Sequence, residues 1–476
     1  MRKNIVIRIL SLTFAILTLI CFSSCASDTP DEKGVLIDFG TELTVTGENV
    51  GEYIKLTATE ATAAEDETEV APPSAETDVK PEASEGVTWT FERSSGTLTI
   101  SGEGAMDNYV YQDFYQGGTN YTLITTPWFK HTTAITKVVV EEGVTSIGNL
   151  AFAHCANLRS VTLAESVKSI GIGAFSNCSS LSSIDMPNEI SYIGDYAFYM
   201  VNLKYNAKDG IKYLGNRTNP YIVAIKADPV LETVTLPNNV KVIYSAAFSG
   251  CNRLTSVTMP EGLVHIGYGA FGNCRNLKEA KLPENLEMIG NCAFLDCIGL
   301  TSLKISDNVK EIGNSAFSGC TNVKEVTFGS NLEKIGTRAF EDCRKIREIR
   351  IPDSVTTLEG AVFWECSGLE TAELGANIAG INDYTFYHCT NLKSVKLPDG
   401  AKKIGESAFE KCGNLTEVEI PASLSVLQKN AFSLCNNLKE VTYKGTVEGW
   451  AKLNTNSSSF YPKATVHCTD GDTVTK

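Results

Sequence analysis

Histidine is scarce in this chain, cysteine pairs at Cys-x-x-Cys spacing are missing, and basic residues are outnumbered. The five histidines are His131, His154, His265, His388 and His467. They form no His-Glu-x-x-His motif and no spacing that pairs a nucleophile with a base, so the sequence offers no catalytic constellation. No Cys-x-x-Cys pair occurs among the 15 cysteines, which removes the usual zinc spacing. Lys and Arg total 41 against 56 Asp and Glu, a net charge of −15. A chain this acidic lacks the basic footprint that nucleic acid requires. One long apolar run exists, near the N-terminus, so a polytopic membrane protein is excluded. Hydrophobic content of 43% with 20% charged residues equally excludes a fully disordered chain.

That apolar run, about Ile9 to Phe22, follows the positive residues Arg2, Lys3 and Arg8 and ends at Phe22-Ser-Ser-Cys25. Its length and small-residue exit read as a signal peptide over 1–25. Small residues before Cys25 resemble a bacterial lipobox, with Cys25 the lipidated residue; Phe at the −3 position departs from the usual Leu. The alternative is ordinary cleavage with Cys25 an incidental thiol. Residues 26–57 hold short alternating runs that could pair as strands. From 58 to 85 the composition turns to Ala, Thr, Pro and acid, with nine Asp or Glu against one Lys. Such a segment buries too little to order itself and reads as an acidic, disordered linker. Residues 86–134 alternate as strands do (Val87-Thr-Trp-Thr-Phe91, Gly96-Thr-Leu-Thr-Ile100) and suit the cap that a solenoid needs on its first turn.

From 135 to 441 the chain repeats. Phe recurs at 152, 175, 198, 248, 271, 294, 317, 340, 363, 386, 409 and 432, every interval being 23 residues except one of 50. In the unit ending at Phe271, Val257 and Met259 alternate inward from a short strand and Pro260 ends the pairing. Ile266 precedes the Phe by five; that position is Ile in ten units and Leu in two. Gly follows it in eight units, where a sharp bend or a close backbone approach is expected. No unit has a complete core alone; stacked at strand spacing, a dozen make a body about 60 Å long.

Eleven cysteines fall three residues after the repeat Phe, one per turn, with Val201 in the third unit. This ladder reads as buried thiols filling one interior site. Cys292 and Cys468 lie off the ladder, and their state is open. Two features could bind a partner. The outward strand position, 13 before each Phe, carries Lys281, Lys304, Arg350 and Lys396, a candidate basic stripe partly neutralised by Glu279, Glu325 and Glu348; the alternative is a solvated face of cross-strand pairs. The 27 extra residues of the long interval place an insertion at about 202–228. There Gly210–Asn216 and Tyr221–Ile225 flank Arg217-Thr-Asn-Pro220 as a hairpin. Tyr213, Arg217, Asn219 and Tyr221 are its candidate contact residues, with a purely structural staple the equal alternative.

The pattern Leu-x-x-Val-x-Met-Pro, then Ile-Gly-x-x-Ala-Phe-x-x-Cys, resembles the BspA-like leucine-rich repeat family of bacterial surface proteins. The flanks Trp89…Gly96-Thr-Leu-Thr-Ile-Ser-Gly-Glu-Gly-Ala-Met106 and Thr442-Tyr-Lys-Gly-Thr446…Gly449-Trp450…Val466-His-Cys468 are similar as well, the last marking a C-terminal cap and tail over 442–476. The resemblance implies a repeat solenoid, a right-handed leucine-rich-repeat superhelix of short parallel strands with little regular helix and a β-rich N-terminal cap. It also implies a non-enzymatic surface protein without cofactor or metal. The expected partners are host or neighbouring-cell proteins or extracellular matrix, with no nucleic acid. The expected place is extracytoplasmic, lipid-anchored to the cell or outer membrane and exposed at the cell surface. A structural envelope protein, or an accessory of a glycan-uptake system, is the competing expectation.

Overall fold

The computed structural model describes residues 77–80, 86–116, 119–455, 459–461 and 463–475. The signal peptide with Cys25, the 26–57 segment and most of the 58–85 linker lie outside the described residues. Within that linker, Thr77–Lys80 form a strand antiparallel to Val87–Glu92.

The repeats build a solenoid of short parallel strands, each residue paired with the one 23 positions on. On one face Ser256–Thr258 pair with Glu279–Lys281; on another His265–Ile266 pair with Met288–Ile289. A third ladder runs through the turns, where Phe248, Phe271 and Phe294 each donate an amide to the carbonyl of Ala270, Ala293 and Ala316 at 2.7 Å. The one α-helix among the described residues is Val447–Lys452, capped by the Thr446 hydroxyl, which accepts from the Gly449 amide. No helix among the described residues is long and apolar enough to cross a membrane.

Inside, the repeat Phe rings stack nearly coplanar with centroids 4.9–5.9 Å apart, close to the rung spacing that a β-ladder imposes. The column gains a member at each end, Trp128 on Phe152 and Phe460 on Phe432. Each turn around a Phe is held by two left-handed residues, two before and two after it, as at Tyr384 (φ 60°) and His388 (φ 61°). The glycine after the Ile position answers the close-approach expectation. A Cβ on Gly171 or Gly313 would come within 2.5 Å of the amide of Asn149 or Asn291 in the preceding rung.

The cysteine ladder has a further physical reason. Nine thiols, from Cys178 to Cys435, donate to the carbonyl of the previous rung's Phe at 3.0–3.3 Å. A valine could fill the volume but could not make that bond. All the cysteines among the described residues are free thiols, and only Cys468 is less than fully buried.

The stacking is interrupted in defined places. At the long interval Phe198 meets Tyr244, tilted at 5.6 Å, instead of the next repeat Phe. Two apolar cores result, one spanning mainly Val87–Phe198 and the other Ile211–Val466. Farther along the outward face, no ladder joins Glu279–Lys281 to Ser302–Lys304, or Glu325–Thr327 to Glu348–Arg350. On the second face the ladder stops between Thr357–Leu358 and Gly380–Ile381.

Candidate interaction surfaces

The outward positions of the strand face are exposed because alternate residues of each strand point to the core, as Val257 does between Ser256 and Thr258. The four cations of the stripe sit there, each at the end of its strand, but the sheet breaks divide them. Lys281 belongs to one sheet, Lys304 to a second, and Arg350 and Lys396 to a third. In the third sheet Arg350, Glu373 and Lys396 are cross-strand partners in consecutive rungs. Charge therefore alternates: Arg350 pairs with Glu348 at 2.6 Å and Glu373 at 3.7 Å, and Lys396 with Glu373 at 2.5 Å. Lys304 reaches Glu284 at 3.8 Å. These pairs are largely exposed, so each contributes little to stability. What they do is compensate the stripe at Arg350 and Lys396. Lys281 is exposed and makes no ion pair among the described residues.

The insertion is the second surface. Asn206–Lys208, Ile211–Leu214 and Val223–Ala227 form an antiparallel meander with a bulge at Lys212/Tyr213, and its last strand joins Val242–Ile243 in parallel. The hairpin read from the sequence is present, and its last strand supplies the rung that the parallel ladder needs. Asn216 organises the connecting loop: its Oδ1 accepts from the amides of Thr218 and Asn219, and its Nδ2 donates to the Met186 carbonyl at 2.9 Å. Asn219 Oδ1 accepts in turn from Asn239. Of the four candidate contact residues, Tyr213 is 1% exposed and belongs to the core, so it cannot meet a partner. Tyr221 packs edge-on against Tyr213 and is half-buried, as is Asn219; Arg217 at the loop tip is exposed.

Beside the insertion lies a cluster that periodicity alone could not indicate. Tyr192 stacks on His265 at 4.8 Å, Tyr196 meets Tyr268, and Lys241 pairs with Glu189 at 3.4 Å. His265 is fully enclosed, its Nδ1 has no hydrogen-bond partner, and burial pushes its pKa down to about 4. Burial also raises Asp195 to about 6, against the pull of the Ser245 hydroxyl. The available signal was compositional: Tyr occupies 192, 196, 199, 205, 213, 221, 244 and 268, eight of the chain's 17. Among the described residues no three His, Cys, Asp or Glu side chains converge to hold a metal.

Solved structures of similar chains include bacterial leucine-rich repeat proteins. One from Bacteroides ovatus is 26% identical over 81% of this chain and 99% of its own, with a TM-score of 0.43. One from Eubacterium ventriosum is 24% identical over 75% and 88%, with a TM-score of 0.36. A leucine rich cell surface protein from Faecalibacterium prausnitzii is 23% identical over 81% and 99%, with a TM-score of 0.32. No curated protein matches the chain. The family model for the BspA type leucine rich repeat region matches residues 119–219, 224–343, 287–385 and 359–461. Twelve Phe-centred turns, a thiol ladder and that match across most of the sequence make this chain a member of the BspA-type leucine-rich repeat family.

Proposed function

We propose that the chain is a binding module of the cell exterior, lipid-anchored through Cys25, whose solenoid surface makes adhesive contacts with proteins of a host or neighbouring cell. The observation that carries this reading is the strand face. From Thr162 onward its outward position is polar at every rung and largely exposed, while the interior is filled by Phe, Ile, Leu and Cys. Function on such a scaffold resides in the surface presented. The acidic segment before the cap suits a spacer that holds the repeats clear of a membrane.

The test has two arms. Whole cells are treated with protease and probed for the repeat region; its removal is expected, and a chain left intact on undamaged cells rejects surface display. Fatty-acid labelling of the wild type and of Cys25→Ala is expected to label only the wild type; an unlabelled wild type rejects the anchor.

A further inference from the structure

We propose that the open seam between Glu325–Thr327 and Glu348–Arg350 is a docking groove for an extended acidic segment of a partner protein. This deepens the binding reading above and rests on it. Between these neighbouring rungs the outward ladder is absent, whereas Glu348–Arg350 pair regularly with Thr371–Glu373 on their other side. A groove of about 1100 Å³ lies over the break.

The sequence accounts for the opening. Phe328 stands where the closed rungs Ser256–Thr258, Ser302–Lys304 and Glu348–Arg350 carry Met259, Ile305 and Ile351. The Phe328 ring turns edge-on against Phe340 at 5.6 Å. The next separation in the Phe column, Phe340 to Phe363, is 5.8 Å, the widest in the second stack. With the rungs eased apart, Val326 and Phe328 are half-buried where Val257 and Met259 of a closed rung are buried. The groove thus has an apolar floor.

Its rim is basic. Lys324, Arg344, Lys345, Arg347 and Arg350 line it, against Glu325, Glu348 and Glu370. On a chain of net charge −15 this is a local reversal of sign. Three of the five are already engaged: Arg344 with Asp342, Arg350 with Glu348, and Arg347 with Glu370 at 3.5 Å. Glu370 is held more closely by Lys393, at 2.6 Å. Among the described residues Lys345 reaches only the amide oxygen of Asn322, and Lys324 makes no ion pair. Cations on the rim of an apolar strip fit a peptide that alternates carboxylates with apolar side chains. Glu325 and Glu348 within the same rim oppose a uniformly charged polyanion, which favours a polypeptide over a sulfated polysaccharide.

The experiment uses the full-length chain and a fluorescein-labelled twelve-residue peptide of alternating Glu and Leu, with heparin as a second probe. Fluorescence anisotropy is expected to show saturable, salt-sensitive binding of the peptide. Lys324→Glu with Arg347→Glu is expected to weaken it by about tenfold or more, while the equal charge change Lys168→Glu with Lys204→Glu leaves it within about twofold. Phe328→Leu, which alters no charge, is expected to weaken it by narrowing the seam. Circular dichroism and melting curves establish that each variant is folded. The proposal is overturned if the peptide does not bind, if both charge pairs lose binding equally, or if heparin alone binds through Lys324 and Arg347. Any of those results with surface display intact removes the seam and leaves the proposed function standing.

Discussion

At the scale of single residues, the repeat spends its chemistry on closing the turns. The ladder cysteine is smaller than Leu, larger than Ala and a weak donor, and the turn presents a Phe carbonyl to it at 3.0–3.3 Å. Burial pushes Cys178 and Cys274 up to about 12, so these thiols are inert while the fold is intact. Thiol labelling of the native chain is therefore expected to reach Cys468 and spare every ladder cysteine, all of which react after denaturation. Rapid native labelling at Cys297 or Cys320 would contradict the burial. His265 makes a second prediction, about pH. Its folded pKa of about 4 lies below the ordinary value of about 6.5, so the unfolded chain takes up a proton that the folded one refuses. Stability thus falls as pH drops from about 6.5 toward 4. Asp195 acts in the opposite sense: its folded pKa of about 6 stabilises the fold at low pH, and that contribution is lost as pH rises from about 4 through 6. In His265→Phe, which keeps a ring against Tyr192, the difference in Tm between pH 7 and pH 4.5 is expected to shrink; in Asp195→Asn it is expected to widen. An unchanged difference in both variants would mean that neither group controls the acid limb.

At the scale of the element, the 23-residue period, the inward Val, Ile and Phe and the cysteine ladder were legible because each recurs at one offset. The left-handed residues beside each Phe were not. Position +2 holds His154, Asn177, Gly250, Glu365 and Leu434 alike, and only the Asn, Asp, His and Gly members carry a local signal for positive φ. The sheet breaks were hidden for a related reason, since they depend on departures at single positions rather than on the period. At the second-face break, Asn382 stands where most units have Gly. In a regular rung the amide at this position donates to the preceding rung's Ile carbonyl, as Gly290 does to Ile266 and Gln428 to Ile404. At the break the Asn382 side chain donates to Leu358 instead, at 2.7 Å. Asn382→Ala leaves that carbonyl unmet and is expected to cost about 1–2 kcal/mol in urea denaturation. Asn382→Gly allows the main-chain bond to form and is expected to cost less than the alanine variant. Equal losses would show that the side-chain bond does not replace the main-chain one.

At the scale of the whole molecule, the insertion is a joint between two stacks. Stability in a solenoid is a sum of rung terms and neighbour terms, so it is most easily divided where a neighbour term is smallest. Here the regular Phe-on-Phe contact is absent; Tyr244, Leu214, Ile222 and Val223 pack on the first core, and a few polar contacts add to them. The Tyr244 hydroxyl accepts from the Phe198 amide at 3.0 Å, Asn216 ties the loop to Met186, and Lys241 pairs with Glu189. The hairpin expected from 210–225 was legible, but its role as a substitute rung was not, because pairing partners 19 residues apart, Val223 with Val242, fall outside the repeat's period. Removing the two hydrogen-bond sources with Tyr244→Phe and Asn216→Ala leaves buried groups unmet and is expected to cost about 2–4 kcal/mol. It is also expected to change the form of unfolding. Trp89 and Trp128 report on the first stack once Trp364 and Trp450 are replaced by Phe, while circular dichroism reports on both. In the parent chain the two signals should trace one urea transition. In the joint variant, tryptophan fluorescence should change at lower urea than the bulk of the circular dichroism, because the first stack has few rungs to share its loss. Coincident curves in the joint variant would show that the two cores fold as one cooperative unit, and that the substitute rung couples them as firmly as a stacked phenylalanine.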